Sequence, residues 1–365
     1  MKLAFIGRYN DSEMLTGPEK VAKRIFNRHA QEYDTVFIEY FFDGRMFGLY
    51  KKLFGCEKVT TVSNSGVMRF GIISMIFFLF KFKPDIIHII TYERFSAAVF
   101  LYKVFSKVKV VYNVHGIAVY ENENFNITGK AYRFKDRLTE NLILKYSDRL
   151  LFLSGQCLKI AADCFNIDED KVIIIPNGVD KEFHTADFKK KHTDKVINIL
   201  FSGNPDRKEK GFETIKNVFS GLSFPFRLYL SGSKTDFQEE YIISEKSAGT
   251  DRFSKLISEM DIVISASLYE PFSMTVTEAM AAGAVPVVSE DTGMSRYISE
   301  GVNGFVYNTN DSAHLKTILN ELNSDRRKLS DLSDNAGKIF EVLNWENVYI
   351  MYKNIYSELT DGKNE

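Results

Sequence analysis

The chain has 365 residues, 45% of them hydrophobic and 26% charged, with a formal net charge of −1. That length suits two ordinary domains, the composition is that of a folded globular protein, and the charge balance excludes a chain that grips nucleic acid by bulk positive charge. Cys56, Cys157 and Cys164 are the three cysteines, without CxxC spacing, which argues for a reducing compartment and against a disulfide scaffold.

From the N-terminus, Met1 to Gly7 is a short apolar run that stops at a glycine, and it reads as a buried first strand rather than a signal peptide. Further strands are expected at Thr35–Glu39, Ile86–Ile90, Val108–Val114, Leu150–Leu153 and Val172–Ile175, with helices such as Pro18–Glu32 and Phe95–Phe105 between them. The longest apolar run, Phe70 to Phe82, is too short to span a bilayer; it reads as a helix packed on a sheet, or as a surface that dips into a membrane. The strand pattern restarts with Ile197–Phe201, Phe226–Leu230, Asp261–Ala266 and Val285–Ser289. Alternating strands and helices mean a parallel, doubly wound sheet, so the fold class is α/β with two Rossmann-like domains. They are expected at 1–182 and 183–344, joined through the polar stretch Asp180–Lys195 with its triplet Lys189-Lys190-Lys191. A last helix, 345–360, carries the only tryptophan. Open sheets of this kind bind ligands beyond the carboxyl ends of their strands, and two of them facing each other would enclose one interdomain cleft.

Charge is unevenly divided. Residues 1–180 carry 25 Lys+Arg against 20 Asp+Glu, or +5, and the remainder carries 22 against 28, or −6. A basic first half favours an anionic partner such as a membrane surface or a phosphorylated lipid; chance variation is the plain alternative.

The most informative stretch runs from Glu270 to Gly283. Between two apolar strands it places a loop, Glu270-Pro271-Phe272-Ser273, then a helix, Met274-Thr275-Val276-Thr277-Glu278. The first turn of such a helix offers unpaired N–H groups and the positive end of a dipole, a site for phosphate. Glu270 and Glu278 bracket it; were the whole span helical they would lie roughly 12 Å apart. Carboxylates accept from hydroxyls and repel phosphate, so they suit the two ends of an extended nucleotide sugar.

Other segments repeat the theme. Gly17 precedes Pro18 after the first strand, without the GxGxxG of dinucleotide binders; a plain helix start is the alternative. His115-Gly116 follows an apolar strand. Ile175-Pro176-Asn177-Gly178-Val179-Asp180 is a turn before the second domain. Phe201-Ser202-Gly203-Asn204 leads through Arg207 to Lys210-Gly211, and a basic surface loop is the alternative there.

Together these segments resemble the retaining glycosyltransferases of the GT-B fold, family 4, and the resemblance covers nearly the whole chain in order. It implies a metal-independent hexosyltransferase with no cofactor, using a nucleotide-diphosphate sugar, a UDP-sugar before a GDP-sugar. By resemblance, Glu270 holds hydroxyls of the transferred sugar and Glu278 the ribose. Lys210 and Arg207 stabilise the leaving diphosphate, and His115 lies beside the sugar. Gly17, Gly203, Phe272, Ser273, Met274 and Thr275 complete the donor site. The terminal helix is expected to pack back on the first domain. The sequence departs from the family's pattern at Asn204, where arginine is usual, at Ser273, where glycine is common, and at Arg296, where glutamate is frequent. Asp168-Glu169-Asp170 imitates a metal-binding pair but reads as a solvated turn. The acceptor is expected to be a glycan or a lipid-linked glycan in cell-surface polysaccharide synthesis. The enzyme would then lie in the cytoplasm, with peripheral contact to the inner face of an anionic membrane. A sugar epimerase, a phosphorylase or a non-catalytic scaffold on the same fold are the other readings.

Overall fold

The computed structural model describes residues 1–10, 16–41, 48–125, 130–184, 195–232, 237–245, 249–309 and 311–361. The basic triplet at 189–191 lies outside them. The chain divides into two compact units, Met1–Ile175 with Tyr349–Glu365, and Pro176–Val348. By this division the turn containing Gly178 packs within the second unit. There Val179 bridges Asn344, and a Cβ on Gly178 would meet the Trp345 ring at 2.5 Å.

The first unit holds β1 (Lys2–Ile6), β2 (Asp34–Tyr40), β3 (Cys56–Val62), β4 (Ser65–Phe70), β5 (Ile86–Ile89), β6 (Lys109–Val114), β7 (Arg149–Phe152) and β8 (Val172–Ile174). They form one sheet in the order β3-β4-β2-β1-β5-β6-β7-β8, parallel except for the antiparallel β3–β4 pair. Around it lie α1 (Gly17–His29), α2 (Leu49–Phe54), α3 (Ile72–Phe82), α4 (Val99–Val104), α5 (Ala118–Phe125), α6 (Lys130–Tyr146) and α7 (Gly155–Cys164). The central strands β1, β5 and β6 are almost wholly buried, as parallel strands covered on both faces must be. The expected helix Phe95–Phe105 is a 3₁₀ turn, Arg94–Ala98, running into α4.

The second unit holds β9 (Ile197–Phe201), β10 (Phe226–Ser231), β11 (Ile242–Glu245), β12 (Ile262–Ser265), β13 (Val285–Ser289) and β14 (Phe305–Tyr307), an all-parallel sheet in the order β11-β10-β9-β12-β13-β14. Its helices are α8 (Phe212–Phe219), α9 (Thr250–Ser258), α10 (Met274–Ala281), α11 (Ser312–Ser324), α12 (Arg326–Gly337) and α13 (Ile339–Leu343). Each unit buries its own apolar core.

The final helix, α14 (Trp345–Asp361), ends in the first unit. Its buried tyrosines meet polar side chains beneath β5 and β6. Tyr356 Oη lies 2.5 Å from Nδ1 of His88, whose Nε2 is 3.1 Å from Asn113 Oδ1, and Asn113 donates to Tyr352 Oη at 2.7 Å.

Candidate active site in the second unit

The loops after β9 and β12 build the site. β9 ends at Phe201, and the Ser202 N–H donates to the Ile264 carbonyl at 2.8 Å, holding the two strand ends side by side. Gly203 has φ +119°, and a Cβ there would lie 2.9 Å from Cδ of Lys210, so a side chain would push the lysine away. Gly211 has φ +67°, and its Cα comes so close to β12 that a Cβ would sit 2.0 Å from the Ala266 carbonyl oxygen. These two glycines fix the short turn that presents Lys210.

Lys210 points at the segment after β12. Its Nζ is 2.6 Å from Oε2 of Glu270, with side chains only 12% and 18% exposed. Glu270 is held by its backbone: its N–H donates to the Asp291 carbonyl at 3.1 Å, and its carbonyl accepts from Gly293 at 2.8 Å. Below it, the hydroxyls of Ser265, Ser267, Ser289 and Thr292 form a buried chain of hydrogen bonds with separations of 3.0–3.3 Å, and Ser289 donates to the Ser267 carbonyl at 2.7 Å.

α10 starts at Met274, so Glu270–Ser273 is loop and the glutamates do not share one helix. Ser273 is the N-cap, with φ +85°, a region that costs a non-glycine residue on the order of 1–2 kcal/mol. Its Oγ accepts from the Val276 N–H at 3.3 Å and lies 3.0 Å from Oγ of Ser202. Its carbonyl accepts from the Thr277 hydroxyl at 2.9 Å. The strained residue is thus pinned to the end of β9 and to the first turn of α10. Phe272 and Glu278 are buried, Glu278 on the second turn of α10. The constellation joins one cation, two carboxylates and a helix N-terminus.

Profiles of two families match in tandem: "Glycosyltransferase Family 4" over residues 16–183 and "Glycosyl transferases group 1" over residues 182–339. The chain belongs to these GT-B glycosyltransferases. An uncharacterized glycosyltransferase of Methanocaldococcus jannaschii is 29% identical over 235 residues, 58% of this chain and 60% of the relative. A lipopolysaccharide 1,2-N-acetylglucosaminetransferase of Salmonella typhimurium is 27% identical over 212 residues, 48% of this chain and 54% of the relative. The matches thus span little more than half the length of these curated relatives. Among solved structures, HepE of Anabaena in complex with UDP-glucose superposes with a TM-score of 0.73 at 16% identity, covering 98% of this chain and 100% of that one.

Within this chain the second unit carries Gly203, Lys210, Glu270, Phe272, Ser273, Met274, Thr275 and Glu278 on the segments that follow β9 and β12. Arg207 lies on the same loop but pairs with Glu209 and is half exposed. The Lys210–Glu270 pair joins residues 60 positions apart, and no local signal in the sequence links them. Ser202, which ties Ser273 to β9, also went unmarked; its place directly after a buried strand was the available sign.

Gly17 and His115 belong to the first unit. Gly17 opens α1, where Glu19 accepts from the Thr16 N–H at 2.9 Å and from Asn10 at 3.3 Å. A carboxylate therefore already occupies that helix start, which favours the plain helix-start reading. His115 follows β6, its side chain half buried. Burial lowers its pKa to about 4 despite a backbone hydrogen bond with Ile90, and its Nε2 is buried with no hydrogen-bond partner among the described residues. A neutral ring that donates from Nδ1 leaves Nε2 as an acceptor. Asp168 accepts from the Asp170 N–H at 3.3 Å and lies 3.3 Å from Lys171, the behaviour of a solvated turn.

Proposed function

We propose that the chain is a retaining hexosyltransferase that moves a sugar from a nucleotide-diphosphate sugar to a glycan or lipid-linked acceptor. The observation that carries this is the Lys210–Glu270 pair beside the N-terminus of α10. In the proposed donor complex Lys210 turns toward the diphosphate, assisted by Arg207 and the N–H groups of Ser273, Met274 and Thr275, and charge-assisted hydrogen bonds stabilise the departing phosphate. Glu270, released from Lys210, accepts from hydroxyls of the sugar. Glu278 accepts from the ribose, and Nε2 of His115 accepts from a substrate hydroxyl. These cations meet the diphosphate charge without calling on a metal. The leaving phosphate oxygen takes the acceptor's proton as the new glycosidic bond forms on the same face. UDP-glucose bound to the structural relative HepE motivates a UDP-sugar. The lipopolysaccharide enzyme among the relatives motivates a cell-surface acceptor.

A thermal-shift panel of UDP, GDP and ADP on the wild type and on Glu278→Ala tests this. Stabilisation by one nucleotide, lost in the variant, is expected. A shift that Glu278→Ala leaves intact removes the ribose assignment, and no shift with any nucleotide overturns the donor site. Inversion at the anomeric carbon, read by NMR of the product, would overturn the retaining assignment.

A further inference from the structure

No described helix is long and apolar enough to cross a membrane, yet one face of the first unit is strongly apolar. α3 reads Ile-Ile-Ser-Met-Ile-Phe-Phe-Leu-Phe-Lys-Phe, with a single charge. Met75 and Leu79 are buried, and Ile72, Ile76, Phe78 and Phe82 pack on the same core. The opposite side carries Phe77, 71% exposed, and Phe80. α4 lies beside α3 and leaves Leu101, Val104 and Phe105 in solvent, the last two 76% exposed. A helix apolar on every side is one whose second face also has a partner.

The rim of this face is cationic. Lys81, Lys83 and Lys107 are exposed and enter no ion pair among the described residues. The nearby acids are engaged: Asp85 accepts from the Lys2 N–H at 2.9 Å, and Asp148 pairs with Lys103 at 2.6 Å. The ring of Phe80 meets Tyr102 edge-on at 5.0 Å. Phe80, Phe105, Lys83 and Lys107 line one open depression of about 260 Å³.

We propose that this α3–α4 face docks on an anionic lipid bilayer. Phe77, Phe80, Val104 and Phe105 enter the boundary between headgroups and acyl chains, while the three lysines meet lipid phosphates. Charge selects this occupant over a second copy of the chain, since a symmetric pair would set one lysine rim against the other. The proposal deepens the reading of a lipid-linked acceptor and rests on it for its purpose, but it is independent of the donor site.

Flotation with vesicles tests it. The full chain is expected to float with equal parts phosphatidylglycerol and phosphatidylcholine, and roughly tenfold less with phosphatidylcholine alone. Phe77→Ser with Phe105→Ser, and separately Lys81→Glu with Lys83→Glu and Lys107→Glu, should each lower flotation about tenfold. Both sets replace exposed side chains, and an unchanged melting temperature and UDP-induced shift would show an intact fold and donor site. Absence of flotation at low salt, or variants that float like the wild type, overturns the proposal. So does self-association in sedimentation that the phenylalanine variant abolishes while its flotation persists. Loss of the UDP shift in every form, with flotation as expected, would instead overturn the donor reading and leave this one standing.

Discussion

Ser273 shows how a single residue ties strain to a site. Its backbone sits at φ +85°, where glycine is at ease, while its hydroxyl caps α10 and reaches Ser202. Ser273→Gly relieves the backbone cost and loses only a few tenths of a kcal/mol as a cap. Ser273→Ala keeps the strain and loses the cap, about 1 kcal/mol. Paired thermal melts should therefore rank glycine above alanine, and the reverse order would show that the hydroxyl contacts outweigh the strain. Lys210 carries a larger stake. With Glu270 it forms a mostly buried pair, so Lys210→Ala both orphans the carboxylate and removes the proposed diphosphate cation. A fall in kcat/KM of about 10²–10³ is expected, and Lys210→Arg should not restore it, because a planar fork does not replace a compact point charge at 2.6 Å. Steady-state kinetics with the nucleotide sugar named by the thermal-shift panel measure both. Gly203 and Gly211 could be read from the sequence because positive φ and close backbone approach restrict those positions to glycine, whereas the glutamates and the lysine were marked by the motif's resemblance to the family. The partnership of Lys210 with Glu270 could not, since it depends on two loops separated in the chain by α8, β10, β11, α9 and β12.

At the scale of elements, strands buried on both faces were legible and the partly exposed ones mostly were not, the edge strand β8 being an exception. β1, β6, β9 and β12 are predominantly apolar runs, which is what a strand covered on both faces requires. The β3–β4 hairpin was missed because Cys56–Val62 is half exposed, irregular between Lys58 and Thr60, and turns through Ser63 at φ +53°. The short outer strands β11 and β14 escaped for the same reason: at an edge, backbone pairing decides and side-chain pattern is weak. Equally hidden was the way α6 secures α5. Glu140 is fully buried and accepts from the N–H groups of Ala118 and Val119, at 2.9 and 3.0 Å, directly after the loop carrying His115. Above about pH 8, where Glu140 is ionised, Glu140→Gln puts an amide donor against one of those N–H groups. The expected cost is about 1–3 kcal/mol of stability, as for any buried polar group left unmatched, and a lower kcat as His115 loses its support. Nucleotide binding in the second unit should not change. A UDP shift equal to wild type beside reduced turnover would meet this expectation; unchanged kcat would dissociate α5 from the chemistry.

The whole molecule divides its ionisable burden unequally between the two units. In the first unit burial holds His29 and His115 at a pKa of about 4 and His88 at about 3, and it raises Glu93 to about 7 and Glu140 to about 8. In the second unit the displaced groups are tyrosines, raised from an already alkaline value. The histidines bind fewer protons folded than unfolded, so their contribution is present above about pH 6.5 and is lost as pH falls toward 4. The two acids bind more protons folded than unfolded, so their contribution is complete below about pH 4.5 and is lost as pH rises toward 8. Between those limits three histidines oppose two carboxyls, and the histidines prevail up to their unfolded pKa. The first unit should thus be most stable near pH 6.5, falling by about 2 kcal/mol by about pH 4.5 and somewhat less by pH 8, because only one net proton separates the three histidines from the two carboxyls. His29 and His88 contact the tyrosines of α14, so acid should loosen that helix along with the sheet beneath it. Calorimetry from pH 4.5 to 8 is expected to resolve two transitions on the acid side, the first unit melting earlier, with the gap narrowing toward pH 6.5. His88→Asn, which cannot gain a proton, should reduce the acid dependence by about one proton's slope, and a single transition moving in parallel at every pH would contradict this division of charge.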